Sequence, residues 1–96
     1  MDIKLSDKLQ QRQGIEIRAT GEDAGAIALN LNDESYYTLD STAYEIYQHL
    51  ILSQSIGESV IKLLEKFDVE KNTLEQDTLE LAKELINYQF LELVVE

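Results

Sequence analysis

From Ile15 to Leu39 apolar and polar side chains alternate with a period of two. Ile15 and Ile17 alternate with Glu16 and Arg18. Ile27, Leu29 and Leu31 alternate with Ala26, Ala28 and Asn30, the pattern of a half-buried strand. Ser35-Tyr36-Tyr37-Thr38-Leu39 is a third run rich in strand-favouring types. Gly21-Glu22-Asp23-Ala24-Gly25 and Asn32-Asp33-Glu34 supply the turns between the runs. The segment therefore predicts a three-stranded antiparallel meander.

After Leu39 the period lengthens to about 3.6. Asp40 is a good N-cap for a first helix, with Ala43, Ile46, Tyr47 and Leu50 on one face. Ser55-Ile56-Gly57-Glu58 matches a capping box and predicts a second helix with Val60, Ile61, Leu64 and Phe67 inward. Thr73-Leu74-Glu75-Gln76 matches another box, for a third helix running to about Tyr88. Phe90 to Val95 reads as an apolar tail packed back on the body, and residues 1–13 as a flexible N-terminal arm. Strands followed by helices predict an α+β domain over residues 14–96. Leu29, Ile46, Leu64 and Leu85 are the expected core positions.

The 96 residues suit one domain, which buries roughly 60–65% of its unfolded surface and leaves little room for an internal active site. With no cysteine, disulfides and thiolate metal sites are excluded, which is compatible with the expected cytoplasmic location. Neither a signal peptide nor a membrane-spanning run is visible. Nineteen acids against eight bases give a net charge of -11, unsuited to nucleic acid or anionic lipid and suited to basic partners or to solubility alone.

Catalytic chemistry is poorly provided for. The one histidine, His49, lies on the first predicted helix, where a boundary role outweighs catalysis or metal binding. No phosphate loop or glycine fingerprint is present. Asp77, Glu80 and Glu84 recur one turn apart on the third helix, which suits a solvated face better than a cation site. Asn32-Asp33-Glu34-Ser35 lacks calcium-loop spacing. The chain is therefore read as a non-enzyme without cofactor or metal.

Binding chemistry is better represented. If the third strand is a sheet edge, Tyr36, Tyr37, Thr38 and Leu39 offer unpaired main-chain groups beside an aromatic handle, suited to capturing an extended peptide as an added strand. The third helix has an apolar arc of roughly 200°, wider than one core face needs. Leu79 and Ile86, next to Lys83, lie on its flank and either wall a groove or are covered by the tail.

Leu29-Asn30-Leu31, Tyr36-Tyr37-Thr38-Leu39-Asp40-Ser41-Thr42-Ala43, Ile46-Tyr47-Gln48-His49-Leu50 and Ile56-Gly57-Glu58-Ser59-Val60 form an ordered set. It continues through Leu64-Glu65-Lys66-Phe67-Asp68-Val69, Asp77-Thr78-Leu79-Glu80-Leu81-Ala82-Lys83-Glu84-Leu85 and Phe90-Leu91. The set resembles the PqqD-like family of precursor-peptide recognition domains. The resemblance implies a winged-helix-like domain that holds a precursor's leader peptide along the third strand and against the third helix. It further implies presentation of that leader to a modifying enzyme or leader protease. The chain departs from the family in having Asp40 where asparagine is frequent, and no glycine in Tyr88-Gln89-Phe90. A lasso-peptide pathway is favoured over a pyrroloquinoline quinone-type chaperone working with a radical enzyme. A winged-helix DNA binder is disfavoured by the third helix, whose Glu75, Asp77, Glu80 and Glu84 face only Lys83. A purely structural subunit is a further alternative.

Overall fold

The structure is a computed structural model that describes residues 3–21 and 23–95. Glu22 of the first expected turn and the chain-end positions Met1, Asp2 and Glu96 lie outside the described residues. The order is β1 (Leu9–Gln11), β2 (Ile15–Ala19), β3 (Ala26–Asn30), β4 (Ser35–Leu39), α1 (Ser41–Leu52), α2 (Ile56–Leu63), α3 (Lys71–Asn87) and β5 (Leu91–Leu93). β2, β3 and β4 form an antiparallel sheet in that order, and β1 pairs with β5 in a second, two-stranded sheet. The α+β architecture expected from the periodicity, a three-stranded antiparallel sheet followed by three helices, is present, with a small two-stranded sheet added to it.

Local chemistry accounts for most boundaries. The Asp40 carboxylate accepts from the Ala43 N–H at 2.7 Å and starts α1. The Ser55 hydroxyl accepts from the Glu58 N–H at 3.1 Å, while Glu58 accepts from the Gln54 N–H at 3.2 Å, one residue short of a reciprocal capping box. The box expected at Thr73 is not used. α3 begins three residues earlier, with Glu70 rather than Thr73 at its N-cap and Lys71 as its first residue, and Glu70 makes no side-chain cap bond.

The core is built from Ile46, Tyr47 and Leu50 of α1, Ile56, Val60 and Leu63 of α2, Leu74, Ala82 and Leu85 of α3, with Leu9, Leu39, Phe90 and Leu91. Two expected core positions differ. Leu64 caps the end of α2 and is half-buried, and Ile61 is exposed, because the helix turns Leu63 inward instead. Leu29 is half-buried on the outer face of the sheet, because β3 buries Ala26, Ala28 and Asn30. Ala28 lies abreast of Ile17 and Tyr37. Between two large inward neighbours, the central strand has room for a methyl group and not for leucine. A close approach of the same kind fixes Gly25, where an added Cβ would stand 2.4 Å from the Leu39 carbonyl oxygen.

Residues 3–13, which the sequence suggests as part of an N-terminal arm, are packed into the body. Leu9 is buried, and β1 pairs Leu9 with Leu93 and Gln11 with Leu91. The Leu5 and Asp7 carbonyls accept from the Gly57 and Ile56 N–H groups, both at 2.8 Å. These donors belong to the first turn of α2 and have no partner within the helix.

Candidate functional site

β4 is one edge of the three-stranded sheet, so one side of its main chain is unpaired by any strand. Along it the side chains alternate. Tyr37 and Leu39 point inward, and Tyr36 and Thr38 are exposed on the other face. Leu39 is fully buried, so its contribution at the edge is main-chain only. Across from this edge stands the end of α3. The Tyr37 ring lies 5.9 Å from Tyr88 and 6.1 Å from Phe90, centroid to centroid, and floors the space between strand and helix. Burial, and then the Glu84 carboxylate beside its hydroxyl, push the Tyr37 phenol up to about 12.

A cavity of about 500 Å3 opens here, lined by Asp33, Ser35, Tyr36, Tyr37, Glu84, Asn87, Tyr88, Gln89 and Phe90. Asp33 is fixed by accepting from the Ser35 N–H at 3.0 Å and the Ser35 hydroxyl at 2.6 Å, and these two bonds hold its carboxyl below the usual range.

Leu79, Lys83 and Ile86 are not part of this cavity. Lys83 and Ile86 line a second one, of about 610 Å3, with Arg12, Leu91, Glu92 and Leu93 on the β5 side of α3, and Glu84, Asn87 and Gln89 line both. Leu79 packs against the core, and at 100° per residue it lies on the Ile86 flank, opposite Glu84 and Tyr88. The structure thus separates the expected site into two. The Tyr37 ring faces one flank of α3, and Lys83 and Ile86 belong to the other. The surplus apolar width of α3 meets the C-terminal tail.

Sequence reasoning passed over Asn87, placed Tyr88 near the centre of the apolar arc of the third helix, and saw Glu84 only as part of an acidic row. The available signal was the one-turn spacing of Glu84 and Tyr88, which sets both on one flank. The turn after α3 closes without glycine. Gln89 adopts the left-handed conformation at φ 68°, the Phe90 N–H donates to the Leu85 carbonyl at 2.8 Å, and the Gln89 N–H to that of Ile86 at 3.0 Å. The buried Asn30 amide reaches the Gln89 carbonyl at 3.4 Å and ties this turn to the sheet.

His49 belongs to α1, with Nδ1 2.9 Å from the Glu45 carbonyl oxygen. Asp77, Glu80 and Glu84 are exposed, and among the described residues no group of three or more metal-ligating side chains is assembled. No helix among the described residues is long and apolar enough to cross a membrane.

Two solved structures share this fold. TbiB1 in complex with the TbiA(beta) leader peptide has a TM-score of 0.78 at 21% identity, covering 91% of this chain and 99% of that one. Lasso peptide synthetase B1 complexed with the leader peptide has a TM-score of 0.78 at 22% identity, covering 88% and 98%. No curated protein matches the chain. Residues 25–91, from the end of the first turn to the first residue of β5, match the model of coenzyme PQQ synthesis protein D, and with most of its length covered the chain belongs to the PqqD family.

Proposed function

We propose that this protein is a non-catalytic peptide chaperone of ribosomal peptide natural product biosynthesis. It captures the leader segment of a precursor as a strand added to β4 and presents it to a modifying enzyme or leader protease. The observation that carries the reading is the open edge of β4 facing α3 across a tyrosine-floored cavity. The two structural neighbours are described as leader-peptide complexes, which supports the same role. The name of one of them, lasso peptide synthetase B1, favours a lasso-peptide pathway over a pyrroloquinoline quinone-type chaperone.

The strand contribution comes from the main chain of Tyr36, Tyr37, Thr38 and Leu39. Glu84, Asn87 and Tyr88 form the helix wall, in place of Leu79, Lys83 and Ile86. Each added-strand hydrogen bond is worth only ~1 kcal/mol net, so two or three buried leader side chains must supply most of the affinity. The chain works in the cytoplasm, where precursor and enzyme are made. The test is calorimetric titration with the leader of the precursor from its own pathway, in the absence of the enzyme. Saturable binding with amide shifts along β4 supports the reading. Binding that needs the enzyme present would point to a structural subunit instead.

A further inference from the structure

The residues around the β4 cavity specify more than an extended backbone. Its two charged lining groups are both carboxylates, Asp33 and Glu84, and among the described residues no basic side chain lines it; the bases Arg12 and Lys83 lie in the adjoining cavity, which shares Glu84. Among the described residues, the ion pairs to acidic groups engage Glu16, Glu45 and Glu58, and neither Asp33 nor Glu84 is in one. The cavity also lies at the C-terminal end of α3, where the helix dipole favours a cation and the last turn carries no base of its own. Tyr37 and Tyr88, with ring centroids 5.9 Å apart, supply aromatic surface around the same space. A guanidinium is the group that uses all three features, because it stacks on tyrosine faces and bonds to carboxylates with its planar edge.

We infer that the β4 cavity is a specificity pocket for an arginine side chain of the bound leader, seated against Tyr37 and Tyr88 and held by Glu84 and Asp33. The inference rests on the strand-addition reading and names the side-chain chemistry it selects. In an antiparallel added strand, every second side chain shares the face of Ser35 and Tyr37 and is directed at the end of α3. One such position holds the arginine, and its neighbours point away.

The test needs no knowledge of the natural precursor. The probes are acetyl-Thr-Val-Arg-Val-Thr-amide and three counterparts with citrulline, norleucine or glutamate at the centre. Each is titrated into the isotopically labelled protein while backbone amide and tyrosine ring signals are followed. The arginine peptide is expected to bind roughly fivefold or more tightly than the citrulline isostere, the size of a cation–π contact joined to a helix-terminus interaction. Its shifts should centre on Tyr37, Glu84 and Tyr88. The preference should fall below twofold in Glu84→Gln, an exposed change that spares the core, and should weaken in Tyr88→Leu. Equal binding of the arginine, citrulline and norleucine peptides overturns the pocket, and so does absence of binding by all four. Equal binding that still shifts the β4 amides leaves strand addition standing. Arginine preference at Glu84 and Tyr88 without β4 shifts upholds the pocket and removes strand addition.

Discussion

The two flanks of α3 are built from one helix but meet different things. On one flank, Glu84 and Tyr88 face an open sheet edge across an acidic, aromatic cavity. On the other, Lys83 and Ile86 face β5, with Arg12 and the aliphatic Leu91 and Leu93 around them. Apolar width alone does not separate a binding flank from a packing flank. The difference lies in whether the strand opposite has a free edge turned toward the helix, and that is a property of topology. β5 follows α3 after a short turn and packs on it, whereas β4 is remote in sequence and leaves a gap.

The largest expected effect removes what both flanks share. Leu85→Ala and Ile46→Ala take fully or nearly fully buried side chains from the core and should each cost ~2–5 kcal/mol in urea unfolding. Leu29→Ala and Leu64→Ala, at half-buried sites, should cost less than half as much. Equal losses at all four positions would show that the outer sheet face is covered.

Next in size is the contrast in peptide binding. Tyr88→Ala and Glu84→Lys alter the β4 flank and should weaken cognate leader binding at least tenfold, about 1.4 kcal/mol. Lys83→Glu alters the β5 flank and should change it less than twofold. Ile86→Asp should cost stability through its half-buried site while the folded fraction binds normally. A reversed pattern in calorimetry would move the peptide to the β5 cavity.

A smaller effect follows from alkaline titration. The Tyr37 phenol is raised from 10.0 to about 12, and Tyr47 moves in the same direction through burial. A raised folded-state value means the neutral phenol is favoured by folding. That stability is complete below pH 10 and is lost as pH rises through 12. Urea midpoints should therefore fall between pH 10 and about 12, and less so in Tyr37→Phe. An unchanged slope in the variant would mean that Tyr37 is open to water and the β4 flank is not closed by Tyr88.

Much of this was legible in the chain. The period-two runs and the Asp40 and Ser55 caps gave the sheet and two helix starts, because both signals are local. The phase of β3 was not legible, since alternating leucine and alanine normally bury the leucine. Here Ile17 and Tyr37, set by strands remote from each other, leave only alanine-sized room. β1 was hidden because three residues with one apolar side chain carry no period, and its partner lies at the opposite end of the chain. Tyr36 and Tyr37 were read correctly as an aromatic strand, while the choice between helix flanks required the path of β5.

The smallest effect concerns the turn where the two flanks join. Gln89 lines both cavities and sits at φ 68°, the left-handed region that glycine enters without steric cost. For a residue with a Cβ that conformation costs roughly 1–2 kcal/mol. Glycine would remove the cost but loses more chain entropy on folding, an opposing ~0.4–1 kcal/mol. Gln89→Gly should therefore stabilise the protein by about 0.5–1 kcal/mol, the difference between these contributions. The two hydrogen bonds that close the turn use main-chain atoms and survive the change. The contact from Asn30 survives as well, because it is made to the Gln89 carbonyl. A raised urea midpoint with unaltered peptide affinity would show that glutamine is present at a steric cost without a binding role. A raised midpoint with weakened affinity would assign the Gln89 side chain to the wall of the β4 cavity. A lowered midpoint would mean that the turn does not adopt the left-handed closure, and the join between the two flanks would have to be redrawn.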